Sequence, residues 1–575
     1  MTPAAPASSR SLLHYAIGFD LVIIAVGIGL LIPLHPWALV ALFVAAAGLA
    51  AWRGGWKVGL GTTAFSIAAL AIVFDGIVPL ALRMLFALAG ITASVLAGAR
   101  RDAKGPAGAV AGRALQTAAQ EQAQTRRAAA ISNRRRDRAM PLLMYVGLPL
   151  IVLVVYTNLS DILIRNFSIP SVLQPLILLL AIPVLRYREA FRPEWAILQP
   201  LTIGLIGYCL FVFASSTWAR DVAVADSAMV DVLKSLGILI VPACLAVSWR
   251  ALRGAMIAMV AGAVVLAILT LAQVALDDPD LQFGGLAALE FGHLFGEVQL
   301  LRPSGPVGDP NYFARILILA LPAAAFLGIG RRSRAERAGY VAAAALIALA
   351  IVFTYSRGGM LGLAAVVALI VVAGRVRLTW VNALIIVALL AALLPTAAGQ
   401  RMMTLGAFVT TGPESVDVDS SLDKRRLLLE AGWRMFTDHP FLGVGAGNFG
   451  SHYPGYANLV GWTGLDYTPA GVRQYPHNLY LEMAVETGLL GLLAFLAAMT
   501  VALVTLYRSR HDLLQRGESG HAALVTAIAI ALAGYLVCSL FLHSGFQRYL
   551  WLLLGLAVAA VRLTNESPGA NEGTS

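Results

Sequence analysis

Long apolar runs alternate with short polar connections along most of this chain. A helix needs roughly 17 to 25 apolar residues to cross ~30 Å of hydrocarbon. On that template the pattern predicts sixteen spans, centred on 12–34, 37–52, 58–74, 79–98, 140–158, 170–185, 197–214, 229–248, 254–276, 310–330, 338–354, 360–374, 379–395, 481–506, 521–541 and 548–563. The second, twelfth and last are short. Only helices and closed barrels satisfy their own backbone in lipid, so the predicted fold class is an all-α polytopic membrane protein of about 16 transmembrane helices.

One interruption stands apart. The polar stretch 396–480 lies between two predicted spans and must sit at a membrane face. Its middle reads Asp417-Val-Asp419-Ser420-Ser421-Leu422-Asp423-Lys424-Arg425-Arg426. An amphipathic helix is predicted over Leu427 to Asp438, with Ser420 and Asp423 forming a capping-box-like start and Pro440 ending the ladder. A glycine-rich turn, Gly443 to Gly450, follows, and the stretch closes on Tyr475-Pro476-His477-Asn478-Leu479-Tyr480. The expected organisation is a four-helix module (1–98), a basic linker (99–139), core helices (140–395), the large loop (396–480), C-terminal helices (481–563) and a disordered tail (564–575).

Composition agrees with the pattern. Of 575 residues, 59% are hydrophobic and only 13% charged, which excludes an ordinary soluble domain. Cys209, Cys244 and Cys538 each fall in an apolar run and imply neither a disulfide framework nor a cysteine metal site. The net charge of +11 would suit nucleic acid, but its placement argues against that partner. Residues 99–139 hold ten Lys/Arg against three Asp/Glu, the mark of a cytoplasmic segment beside anionic lipid. With the N-terminus inside, inner segments collect 28 of the 42 Lys/Arg and outer ones 11. Both termini are therefore expected in the cytoplasm and the large loop outside, which in a bacterium is the periplasm. No cleavable signal peptide is expected from the first apolar run.

Against that bias the outer face keeps several arginines. Arg302 opens Arg302-Pro-Ser-Gly-Pro-Val-Gly-Asp309-Pro310-Asn311, Arg357 sits in Ser356-Arg357-Gly358, and Arg425 and Arg426 begin the loop helix. A guanidinium at the edge of the apolar slab persists most simply when it faces a polar cavity with an anionic partner, and its planar fork matches phosphate oxygens. His477 stands where the loop re-enters the membrane and carries a side chain able to accept a proton near neutrality. Gly445-Ala-Gly447-Asn-Phe-Gly450 fits a dinucleotide fingerprint in letters only, since it follows a helix rather than a strand. Asp417 and Asp419 form a D-x-D without further ligands, and His439 and His452 show no metal spacing, so no metal and no cofactor are expected. A transporter would place ionisable groups near the midplane; here Arg83 and Lys234 are the clear basic intruders, and no internal repeat is visible.

Four motifs in order resemble the O-antigen ligase and O-unit polymerase superfamily. They are Arg302-Pro…Asp309-Pro310-Asn311; Ser356-Arg357-Gly358; Asp438-His439-Pro440-Phe-Leu-Gly443-Val-Gly445-x-Gly447-Asn448-Phe449; and His477-Asn478…Glu486-Thr487-Gly488. The resemblance spans roughly 200–563 and leaves 1–139 without a role. It implies a GT-C-like glycosyltransferase of the bacterial inner membrane, facing the periplasm, metal-independent and inverting. The donor would be a glycan on a polyprenyl (undecaprenyl) diphosphate, and the acceptor a sugar hydroxyl on lipid A-core or another glycan. The resemblance implies His477 as catalytic base, Arg357 and Arg425 or Arg426 on the diphosphate, Arg302 beside them, and Asp309, Asn311 and Asn478 in support. Ligase, polymerase and protein-directed transferase remain open alternatives at this level.

Overall fold

The computed structural model describes residues 142–193, 196, 199–276, 278–294, 298–328, 333–373, 420–460, 474–543 and 547–566. The predicted spans 12–34, 37–52, 58–74, 79–98 and 379–395 lie outside them, as do the basic linker, Asp417, Asp419 and residues 567–575 of the tail, whereas 564–566, expected to be disordered, are helical. Every predicted span that falls on described residues is helical. In chain order the helices are α1 (Leu148–Tyr156, entered through a π-helical turn at Leu143–Gly147), α2 (Leu159–Phe167), α3 (Leu173–Arg186), α4 (Pro200–Ser215), α5 (Val222–Leu245) and α6 (Trp249–Leu276). After the hairpin β1 (Leu289–Leu294) and β2 (Val298–Pro303) come α7 (Pro310–Gly328), α8 (Arg334–Phe353) and α9 (Arg357–Ala373). Then follow α10 (Ser420–Asp438), α11 (Phe449–Leu459), α12 (Leu479–Gln515), α13 (Ser519–Cys538) and α14 (Arg548–Glu566).

Seven of these helices are long and apolar enough to cross a membrane, or eight if the pair Leu143–Tyr156 and Leu159–Phe167, bent by 56°, is one span. The protein is a multi-pass, predominantly helical membrane protein. The described residues divide into two compact units, 210–229 belonging to one and all the others to the second. Within the second unit α7 is central and packs against α6, α8, α9 and α13. Small residues let the helices close up: a Cβ on Gly359 would lie 2.5 Å from Cβ of Ala314, and one on Gly362 would lie 2.4 Å from Sγ of Cys538. Close backbone approach of this kind compensates for the weak hydrophobic drive between helices in lipid.

Two features differ from the sequence expectation. Leu289–Leu294 and Val298–Pro303 form an antiparallel hairpin with Glu290 opposite Arg302, within an otherwise helical body. Its strands are too short and too mixed to stand out from loop sequence by periodicity. The loop helix also starts earlier than Leu427, at Ser420, and ends at Asp438 ahead of Pro440. Lys424, Arg425 and Arg426 therefore lie within the helix instead of preceding it.

Candidate active site

The site grows from turns that start helices at one end of the bundle. Asp309 caps α7: its Oδ1 accepts from the backbone N–H of Asn311 (2.7 Å) and Tyr312 (3.1 Å), and Pro310 follows as a proline suited to a first helical turn. Ser356 caps α9 through Oγ, which accepts from Gly359 N at 3.1 Å. The two caps are joined, because the Ser356 hydroxyl donates to Oδ1 of Asn311 at 2.8 Å. Arg302 completes the knot, with Nε donating to the Thr354 carbonyl (3.2 Å) and Nη2 to Oδ1 of Asn311 (3.4 Å). Two helix N-termini, each with a positive dipole end, are thus held together with Arg357 as the half-buried first residue of α9. On the facing strand Glu290 has its carboxyl pKa raised by burial and by Asp309, against the pull of Arg302.

The glycine-rich turn is bound into α12. Gly488 has φ 64° and ψ −170°, which breaks that helix after Thr487. In an unbroken helix the carbonyls of Val485 and Glu486 would accept from residues 489 and 490. Here they accept from Val444 N (2.8 Å) and Gly445 N (3.0 Å) of the turn. In return, Leu489 N donates to the Pro440 carbonyl (2.8 Å) and Leu490 N to that of Phe441 (3.5 Å). The orphaned groups of the break are therefore satisfied by exchange with the turn. Only glycine permits the approach: a Cβ on Gly488 would lie 2.2 Å from the Phe441 carbonyl oxygen, and one on Gly443 2.5 Å from the Glu486 carbonyl carbon. The buried Glu486 carboxylate adds charge-assisted bonds, accepting from Gly447 N at 2.8 Å and Phe449 N at 3.4 Å. The G-x-G-x-x-G thus joins two elements of the site by its backbone.

His477 lies on the strap that leads into α12. Asn478 caps that helix, its Oδ1 accepting from Leu481 N (2.9 Å) while Nδ2 donates to the Leu540 carbonyl (3.1 Å). Leu479 N donates to the Ser539 carbonyl at 2.9 Å, so the start of α12 is tied to the end of α13. His477 itself adopts a left-handed backbone, φ 48°, uncommon for a non-glycine residue. Burial lowers its pKa to about 4, helped by Arg425 and Lys424 and opposed by Asp309. Those charges bring the first turns of α10 and the cap of α7 into its neighbourhood. Nδ1 of His477 is buried with no hydrogen-bond partner among the described residues.

A second histidine backs the first. His543, in the connection from α13 to α14, stacks on Tyr475 (centroids 4.1 Å apart, 3° between planes) and meets His477 edge-on at 5.5 Å and 76°. Its Nδ1 lies 2.6 Å from the Tyr312 hydroxyl, and its carbonyl accepts from Arg315 Nη1 at 3.4 Å. Burial, then His477 and Arg315, drive its pKa well down, so the ring is neutral. Arg315 is buried within α7, its guanidinium 4.8 Å from the Tyr312 ring centroid and 4.4 Å from that of Tyr535.

The sequence-predicted residues thus separate. Arg302, Asp309, Asn311 and Ser356 are directly bonded, and Arg425 and Asp309 act on His477. Arg426 is exposed and is not among the charges acting on His477. Asn478 is spent on capping. Lys234, read from sequence as a deep basic intruder, is an exposed pair with Asp231 at 3.0 Å, whereas Arg315 and Arg562 are buried. Tyr312, Arg315, Tyr475 and His543 were missed; a histidine in a short connection and an arginine one turn inside a span were the available signals. Among the described residues no group of three or more His, Cys, Asp and Glu side chains is placed to hold a metal ion. His439 and His452 meet edge to face at 6.3 Å, and His452 Nδ1 lies 3.1 Å from the Asn448 carbonyl.

Fold and site together define a multi-pass helical membrane protein with a basic, histidine-bearing cluster gathered at one end of its helices. Residues 342–496 are similar to the family described as O-antigen ligase. That stretch contains Arg357, Arg425, Arg426, His477, Asn478 and the turn–helix exchange; Arg302, Asp309, Asn311 and His543 lie outside it. No curated protein matches the chain.

Proposed function

We propose that the protein is a bacterial inner-membrane glycosyltransferase, working at the periplasmic face as an O-antigen ligase. It would move a glycan from a polyprenyl diphosphate to an acceptor sugar hydroxyl without a metal and with inversion. The observation that carries this reading is His477: a neutral, buried imidazole with an open Nδ1, flanked by Arg425 and Lys424 and by the knot that carries Arg357. His477 accepts the proton of the acceptor hydroxyl as its oxygen attacks the anomeric carbon. The bond from that carbon to the diphosphate oxygen breaks, and its electron pair leaves with the polyprenyl diphosphate. Arg357 and Arg425 hold the diphosphate and meet the charge that develops on the leaving oxygen. Arg302 spends donors on Thr354 and Asn311 and therefore positions the start of α9. Asn311 and Asp309 serve the same scaffold.

The decisive assay mixes purified full-length protein in nanodiscs with a polyprenyl-diphosphate oligosaccharide and lipid A-core, with chelator present, and identifies products by mass spectrometry. Glycan on lipid A-core with free polyprenyl diphosphate supports the ligase. Extension of one carrier-linked glycan by another makes it a polymerase. Absence of any transfer from active-site-intact protein, with both carrier-linked and lipid acceptors supplied, overturns the enzymatic reading.

A further inference from the structure

Pro440-Phe441-Leu442 interrupts a polar segment with two large apolar side chains that stay uncovered. Phe441 is 66% exposed and Leu442 46%, although Gly443 and Gly445 of the adjoining turn are buried. The exchange of backbone bonds fixes where this tip sits. Leu489 N donates to Pro440 and Leu490 N to Phe441, so the tip lies beside the first residues of α12 after its break.

That level along α12 can be placed in a bilayer. The helix shows a stripe of exposed apolar residues, Leu489, Leu490, Leu493, Leu496 and Val504, at helical spacing, ending at Tyr507 (65% exposed) and Arg508. Tyrosine and arginine in succession mark a membrane–water boundary. Counting back about 20 residues at ~1.5 Å each reaches the far side of the ~30 Å hydrocarbon layer at Leu489 and Leu490. The segment before the break, Leu479 to Thr487, is instead largely buried in protein, including Glu482 and Glu486. The lipid-facing part of α12 therefore begins at the residues that hydrogen-bond the tip.

We infer that Phe441 and Leu442 insert into the bilayer at its boundary and anchor the 440–447 turn, with phospholipid acyl chains as the occupant of this apolar surface. The tip lies at the level where the exposed stripe on α12 begins, and a phenyl ring at this depth gains burial that water would deny it. This placement rests on the spanning assignment of α12 and not on the proposed chemistry, so it stands or falls separately from glycan transfer.

The test places a single cysteine at Phe441→Cys, Leu490→Cys or Gln515→Cys in the full chain, labels each with bimane and reconstitutes it in nanodiscs. The three native cysteines are buried, which leaves labelling selective. Gln515, at the exposed end of α12, is the aqueous reference and Leu490 the lipid reference. The expected result is that label at 441 is quenched by acyl-brominated lipid as at 490, and several-fold less by iodide than at 515. Iodide quenching at 441 equal to that at 515, without bromolipid quenching, overturns the proposal and leaves the tip in water. Protection from both quenchers also overturns it, by showing that protein covers the tip. Circular dichroism and yield of each variant accompany the measurement, and Leu442→Cys repeats it should Phe441→Cys be unstable.

Discussion

The two halves of the candidate site treat their polar groups in opposite ways. Around the starts of α7 and α9, Arg302, Asp309, Asn311 and Ser356 hydrogen-bond to one another or to nearby backbone, each with a partner within 3.4 Å. On the strap before α12, His477 meets the His543 ring while its Nδ1 has no hydrogen-bond partner among the described residues. A saturated network rigidifies; a buried acceptor left open costs free energy that a structural role does not recover. Under the proposed function the bonded residues of the first half are scaffold and His477 carries chemistry, a contrast that substitution can break.

The largest effect is expected at His477. His477→Ala should lower kcat by ~10²-fold or more, with donor affinity and thermal stability near the parent's. Asn311→Ala should act in the reverse sense, because it strips an acceptor from both Arg302 and Ser356: unfolding temperature falls, and activity falls with it. Equal thermal losses for the two variants in nanodisc melting curves would erase the distinction between the halves.

Next in size is the break in α12. Gly488→Ala places a methyl group against the Phe441 carbonyl at a left-handed φ, a cost on the order of 1–3 kcal/mol in strain. The expected outcome is a lower unfolding temperature and faster proteolysis within 439–447, read by mass spectrometry. An unchanged melting curve would mean that the turn–helix exchange contributes nothing to holding the site.

The arginines sharpen the comparison further. Arg357→Ala and Arg425→Ala should weaken donor binding as well as turnover, since a diphosphate is charged in ground and transition states alike; lysine should restore only part, lacking the planar fork. Arg426→Ala, on an exposed side chain, should leave KM for the donor nearly unchanged. A reversed order, with Arg426 the more damaging, would move the diphosphate away from His477.

Much of the framework was legible because lipid imposes a length and a composition on each span. The caps went unread, although Asp309 before Pro310, Ser356 before Arg357 and Asn478 before Leu479 are residue types that bind the first N–H groups of a helix. What escaped the sequence was long-range. Nothing local says that carbonyls at 485 and 486 pair with 444 and 445, or that a histidine 66 positions beyond His477 stacks beneath the same strap. Arg315 was visible in sequence only as a basic residue within a predicted span, and its two tyrosine rings and the His543 carbonyl explain how its charge survives there. The hairpin was missed because six-residue strands carry little periodic signal.

The smallest expected effect is also the most specific to the open half. Because burial and then Arg425 hold the His477 pKa at about 4, the folded protein keeps this imidazole neutral where a free histidine, near 6.5, would already be charged. Between those values the unfolded chain binds a proton that the folded one refuses, so His477 makes folding less favourable as pH falls from 6.5 toward 4 and has no such effect above 6.5. The activity limb has the sign of any general base but lies lower in pH: kcat/KM, which reports the free enzyme, should stay level through pH 6.5 and bend down only in the more acidic region. The donor does not confuse the reading, since both ionisations of a diphosphate diester lie far below this window. Arg425→Gln removes a cation that depresses the histidine, so the acid limb should move upward in pH, while Arg426→Gln should leave it in place. An acid limb at 6.5 in the parent, or one indifferent to Arg425, would detach His477 from the charges of α10 and return it to the scaffold.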